Sequence, residues 1–280
     1  MVAYFLYAAL MSAILPVPSS VTAFTIGLNL MLVGVFVTLA YLGRTRPSST
    51  AVSMARDWFP LTVLALAYRE MGWFAPKQHV VALENSWIVW DRLLLSDWGL
   101  QAAIEALGPA LPALLEICYS LVYAIGPFCL AALYWWGCRD RADAFLFRFL
   151  LGTVLSYALF PYFPSEPPRT VFPGENLPAF DTIFRQFNWW LLGGHGIHTS
   201  VFPSAHVSSA FAGAFALFRV VPERKWAGWV VTLLATGIFW ATIYGRYHYA
   251  VDAVAGLAVA IVALFLCEWI ERRLAVESRR

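Results

Sequence analysis

Charge is scarce in this chain: 13% of its 280 residues are charged and 60% are hydrophobic. A soluble domain carries about a quarter charged residues, so a water-soluble fold is excluded and a bilayer protein is expected. A basic stripe is missing as well. The formal net charge is only +2 and no acidic tail is present, which argues against nucleic acid as a partner. The four cysteines (Cys118, Cys129, Cys138, Cys267) form no CxxC pair and no cluster, and each sits within or at the end of an apolar run. They are read as packing residues. No Lys or Arg precedes the first apolar run, MVAYFLYAALMSAILPVPSS, which favours a first membrane helix over a signal peptide. Internal repeats and low-complexity stretches are absent. The one shift in composition, GRTRPSST, divides the chain into residues 1–50, two accessory N-terminal transmembrane helices, and residues 51–280, a six-helix catalytic membrane domain.

What is present is a series of apolar runs near the length of roughly 20 residues that a helix needs to cross a bilayer core. They predict an all-α, polytopic helical bundle with spans at residues 3–17, 20–42, 58–75, 113–136, 143–163, 203–220, 227–244 and 250–270. Cytoplasmic loops are enriched in Lys and Arg. Placing both termini inside puts 13 of the 19 basic residues on that side and leaves Arg69, Lys77, Arg92, Arg169, Arg185 and Arg246 outside. An integral protein of the inner or plasma membrane is expected, with its chemistry on the extracytoplasmic face. Two long outer segments result, residues 76–112 and 164–202, together with a short outer turn near 245–249. In ENSWIVWDRLLLSDWG, within the first outer segment, apolar residues and tryptophans alternate with charges, as in a helix lying in the interface. Such a helix either covers the helix ends or shapes the substrate site.

Three polar islands interrupt the apolar pattern near that outer surface: PYFPSEPPRT (161–170), VFPSAHVSSA (201–210) and YGRYHYAVDA (244–253). In the last, His248 and Asp252 are four residues apart, so on a helix they share a face and the carboxylate accepts a hydrogen bond from the imidazole. The other ring nitrogen then keeps its lone pair for nucleophilic or general-base work. In the second island Pro203 begins a helix whose free N–H groups favour an anion, with Ser204 and His206 close behind; Ser204 is equally suited to capping that helix. In the first island Arg169 follows two prolines, and its planar fork of donors suits a phosphate. The alternative for Arg169 is a side chain snorkelling to the interface.

These islands resemble the signatures of the type 2 phosphatidic acid phosphatase superfamily. PSAH (203–206) is similar to its PSGH motif, and His248 with Asp252 matches the end of its third motif. The departures are specific. Tyr162 stands where the first-motif Lys falls, Thr170 replaces a Pro, and Ala241 and Thr242 occupy the place of a Ser-Arg pair. FPSEPPR, FPSAH and HYAVD are closer to the inositol phosphorylceramide synthase-like branch of lipid phosphotransferases. The resemblance covers roughly residues 58–270. It implies a cofactor-free, metal-independent reaction through a phosphohistidine, with a lipid as substrate and water or an alcohol as acceptor. Carried over by position, His248 is the nucleophile, Asp252 its partner, His206 the acid, and Arg169 with Ser204 the phosphate clamp, Tyr162 standing at the phosphate in the place of the Lys. The missing positive charge is expected from Arg246, or from Arg69 in YRE (68–70) unless that residue pairs with Glu70.

Simple hydrolysis of a lipid phosphate or polyprenyl diphosphate uses the same residues. A transporter lined by the three islands is the reading from another class, although no repeated halves accompany it. A zinc hydrolase built on His195 and His198 of GGHGIH lacks the Asp, Glu or Cys cluster that completes a normal ligand set. The headgroup, the chain and the oligomeric state are left open by the sequence.

Overall fold

The computed structural model of the chain describes residues 1–74, 81–197 and 201–277. Among the described residues there are twelve α-helices and no strand. They are α1 (Val2–Ile14), α2 (Ser19–Thr45), α3 (Thr50–Phe74), α4 (Val81–Arg92), α5 (Leu100–Glu105), α6 (Ala110–Trp135), α7 (Ala142–Leu159), α8 (Pro168–Val171), α9 (Ile183–His195), α10 (Ala205–Val220), α11 (Lys225–Tyr244) and α12 (Ala250–Glu277). A helix stands at each of the eight expected spans. Five of the described segments (Ser19–Thr45, Ala110–Trp135, Arg139–Tyr162, Pro222–Tyr244 and Ala250–Glu277) are long and apolar enough to cross a membrane. Large apolar side chains on their outer faces, such as Phe24, Leu30, Trp229, Leu233 and Phe265, are exposed rather than packed inside, as lipid contact requires. This is a polytopic helical bundle of an integral membrane protein. Helix α1 has 13 residues; at 1.5 Å per residue it extends about 20 Å, short of a hydrocarbon core about 30 Å thick.

Helix α10 is the axis of the bundle and touches α6, α7, α11 and α12. Its sequence AHVSSAFAGAFALFRV is dominated by small residues, which let neighbouring backbones approach without a hydrophobic driving force in lipid. Two sites show how close they come. A Cβ added at Gly152 of α7 would lie 2.4 Å from the Ala212 side chain, and one at Gly256 of α12 would lie 2.4 Å from the Ser204 carbonyl. One pair of buried hydroxyls crosses between helices, Ser156 of α7 and Ser208 of α10 at 2.8 Å. Helices α1 and α2 pack on each other and dock on α3, and α1 also touches α7.

Candidate active site

The three polar islands meet at one end of α10. The Arg169 N–H donates to the Arg246 carbonyl at 3.3 Å, and its guanidinium Nη1 donates to the Tyr247 carbonyl at 3.1 Å. The Ser204 N–H donates to the Asp252 carbonyl at 3.0 Å. The third island is thereby tied by hydrogen bonds to both of the others.

Helix α12 begins at Ala250, so His248 lies in the preceding turn and not on the same helical face as Asp252. Their pairing arises differently from the expected i, i+4 geometry. Asp252 reaches back along the first turn, its Oδ2 accepting from the Tyr249 N–H at 3.0 Å, as the carboxylate of a capping box does. The same oxygen lies 3.3 Å from His248 Nδ1. A proton held on Nδ1 leaves Nε2 as the ring's lone pair.

The His206 ring faces this imidazole with centroids 5.7 Å apart. Two tyrosines of α6 hold His206 in place: Tyr119 stacks on it at 4.8 Å, and the Tyr123 hydroxyl lies 3.3 Å from Nε2. Tyr119 also stacks on Tyr247 at 4.0 Å. Arg169 completes the group, its guanidinium 5.6 Å from the centre of the Tyr247 ring.

Burial first, and then the Arg169 charge, lower the His248 pKa from the ordinary 6.5 to about 3, with the Val201 carbonyl acting in the opposite direction. The folded chain therefore holds this ring neutral, the form that carries a lone pair. In the sense of linkage, the unfolded chain binds the proton more readily. The stabilising contribution is complete above about pH 6.5 and is lost as pH falls towards 3. Thermal unfolding in detergent is expected to show the wild-type midpoint dropping across that window more steeply than the midpoint of His248→Asn.

Ser204 is fully buried and caps α10, its hydroxyl accepting from the Val207 N–H at 3.4 Å. Arg246 is 0% exposed and paired with Asp91, which is also 0% exposed; its Nε and Nη2 have no partner. Tyr162 is not brought to the histidines. It is 58% exposed, and its hydroxyl lies on Met11 Sδ at 3.5 Å beside Tyr7. Arg69 and Glu70 do not pair: adjacent residues on a helix point about 100° apart. Glu70 accepts from Asn29 at 2.9 Å, while Arg69 donates to the Gly196 carbonyl at 3.4 Å. Among the described residues no three or more His, Cys, Asp and Glu are grouped to hold a metal ion; His198 lies outside the described residues.

A cavity of about 580 Å³ opens beside His206 between α3, α6, α7, α9 and α10. Its wall is mainly apolar, with Leu61, Leu64, Val122, Phe149 and Tyr157, and the polar side chains of His206 and Arg69 also line it.

A family model for the PAP2 superfamily matches residues 86–266, from α4 into α12. The chain belongs to the PAP2 superfamily. A PA-phosphatase related-family protein of Dictyostelium discoideum is 24% identical over 271 residues, which cover 88% of this chain and 45% of that protein. The chain thus spans less than half the length of the relative it matches. No solved structure matches.

In this PAP2-superfamily chain, several residues at or behind the site carry no motif. Glu116 of α6 is buried and accepts from Arg185 at 2.9 Å, from Asn188 at 2.7 Å and from the Tyr247 hydroxyl at 2.6 Å. It joins α9 to the turn beside His248. A lone carboxylate inside the apolar run LPALLEICYS was the available signal, since an ionisable group at membrane depth needs a partner. Tyr119, Tyr123 and Asp91 had no comparable signal.

Proposed function

We propose that this chain is a phosphoryl-transfer enzyme acting on phosphate esters of lipids, with its site on the extracytoplasmic face. The observation that carries the reading is the pair of neighbouring imidazoles, His248 held by a carboxylate and His206 at the wall of an apolar cavity, with a guanidinium beside them. Phosphate and chain then have adjacent places, as is usual of a ligand site with few polar groups in an apolar wall. Residues 51–280 form the catalytic unit in this reading, and residues 1–50 an accessory pair of helices. The end of α12 and the turns before α7 and α11 lie on the cytoplasmic side.

The chemistry follows from the protonation states. Nε2 of His248 attacks phosphorus in line with the ester oxygen. The P–O bond breaks as the N–P bond forms, and His206 gives its proton to the departing alkoxide. An anionic phosphate beside His206 favours the imidazolium needed for this step. Arg169 neutralises charge on the phosphoryl oxygens, and Ser204 holds the start of α10, whose N–H groups face them. In the second half an acceptor hydroxyl loses its proton to His206 and attacks phosphorus, and the N–P bond breaks. Asp252 keeps the same tautomer of His248 throughout. The Arg246 charge is balanced by Asp91, which leaves Arg169, with Arg69 at the cavity, as the cations for the substrate. No cofactor or metal takes part.

The sequence departures at Tyr162, Ala241 and Thr242 favour transfer to a lipid or polyol hydroxyl, as in an inositol phosphorylceramide synthase-like enzyme, over transfer to water. Purified protein incubated with radiolabelled phospholipid and an alcohol acceptor separates the two. A new phosphodiester lipid is the expected product. Free inorganic phosphate would assign the chain to hydrolysis, and an unchanged lipid pool across phospholipids and lipid phosphates would remove the reading altogether.

A further inference from the structure

Helix α4 covers the end of the bundle where the islands meet, and it holds each of them by a different contact. The Glu84 carboxylate accepts from the Glu166 N–H at 2.8 Å in the first island. Trp87 stacks on Phe202 of the second at 5.1 Å. Asp91 grips the third at two points: Oδ2 pairs with the Arg246 guanidinium, and Oδ1 accepts from the Ala250 N–H at 2.8 Å.

Those two points bracket His248. One carboxylate thus spans the whole segment Arg246–Ala250, whose backbone has a specific reason to need holding. Arg246 sits at φ 64°, the left-handed region that a side chain with a Cβ disfavours. The next two N–H groups, of Tyr247 and His248, both point at the Thr242 carbonyl at 3.0 Å, a shared acceptor that only this tight turn provides. Loss of the Asp91 charge would leave the Arg246 guanidinium buried without a counter-ion, a heavily unfavourable state that local opening relieves.

We propose that Asp91 is the positioning residue for His248, and that α4 serves as the brace that fixes the turn bearing the imidazole. The consequence for catalysis rests on the function proposed above, whereas the brace itself does not. The test therefore reads the imidazole directly.

Diethyl pyrocarbonate carbethoxylates neutral imidazoles that it can reach, and peptide mass mapping reports each histidine separately. His248 is buried and is expected to react slowly in the wild-type chain. In Asp91→Asn its rate is expected to rise at least about tenfold, with little change at His206 on the neighbouring helix. On a lipid phosphate substrate the same variant is expected to lose kcat with KM nearly unchanged. An unaltered His248 rate, or an equal rise at both histidines, would overturn the brace. If Asp91→Asn does not fold, Asp91→Leu combined with Arg246→Met removes both charges and leaves no unpaired ion. His248 must still be more reactive there because the Ala250 N–H has lost its acceptor, and wild-type reactivity in this folded double variant would refute the proposal. Normal positioning of His248 in a chain that turns over no lipid phosphate would instead count against the enzymatic reading alone.

Discussion

His248→Ala is expected to lower turnover of a lipid phosphate by at least about 10⁴-fold and to abolish any acid-labile phosphate on the protein. The size follows from the role proposed: removing a nucleophile eliminates the covalent route altogether and leaves only what binding and electrostatics supply, as in other covalent catalysts. A phosphoramidate hydrolyses in acid, whereas a phosphoserine survives it, so brief acid treatment of labelled protein identifies the attachment. The wild-type chain should release its label and the variant should carry none. His206→Ala separates the steps. It retains the nucleophile, so a good leaving group that needs no protonation should still label His248, while a natural alkoxide leaves slowly. Acid-stable label, or label that persists in His248→Ala, would end the phosphohistidine mechanism. A transporter lined by these islands predicts no covalent label in any variant.

Glu116→Ala is expected to destabilise the fold by about 3–5 kcal/mol, a large share of the stability of an ordinary domain. The carboxylate is the common acceptor for Arg185, Asn188 and Tyr247, and Arg185 is itself buried. Its removal strands a guanidinium in the interior and loosens α9 from α6. The pair is worth much less than this penalty, because two ions already had to leave water to form it. Glu116→Leu combined with Arg185→Met should therefore cost clearly less than the sum of the single changes. Equilibrium unfolding in mixed micelles measures all three variants. A cost below about 1 kcal/mol for Glu116→Ala would show that α9 is held by other contacts. Tyr247 stacks on Tyr119, so the single variant should also blunt activity through the packing around His206.

The two effects have different origins, and the same difference explains which parts of the molecule could be read in advance. The spans were legible because each membrane helix satisfies its own backbone and needs only an apolar run of sufficient length. All eight expected positions carry a helix, from Val2–Ile14 to Ala250–Glu277. Helix α4 was legible as a helix outside the spans, since its charges and tryptophans alternate locally. Histidines 206 and 248 were singled out because a polar island at the end of an apolar run is costly and therefore informative.

Local pattern failed where a partner lay far along the chain. Arg246 was expected at the phosphate, yet its guanidinium is paired with Asp91, 155 residues away. Tyr162 was placed with the phosphate by its position in a motif, and the fold turns it towards Met11. His248 and Asp252 were correctly paired for a geometric reason that does not hold: the helix starts after His248, and the pairing comes from a capping carboxylate. Glu116, Tyr119 and Tyr123 belong to the surroundings of the site only because α6 passes beside His206 and Tyr247.

The amino-acid sequence by itself determined that this chain is a helical membrane protein, where its eight apolar spans lie and which polar islands interrupt them, because hydropathy and local polarity are properties of consecutive residues. The tertiary structure alone decided that Arg246 pairs with Asp91 and Arg185 with Glu116. Those depend on which buried charges meet, and burial makes each such meeting compulsory without marking either partner in its own stretch of sequence.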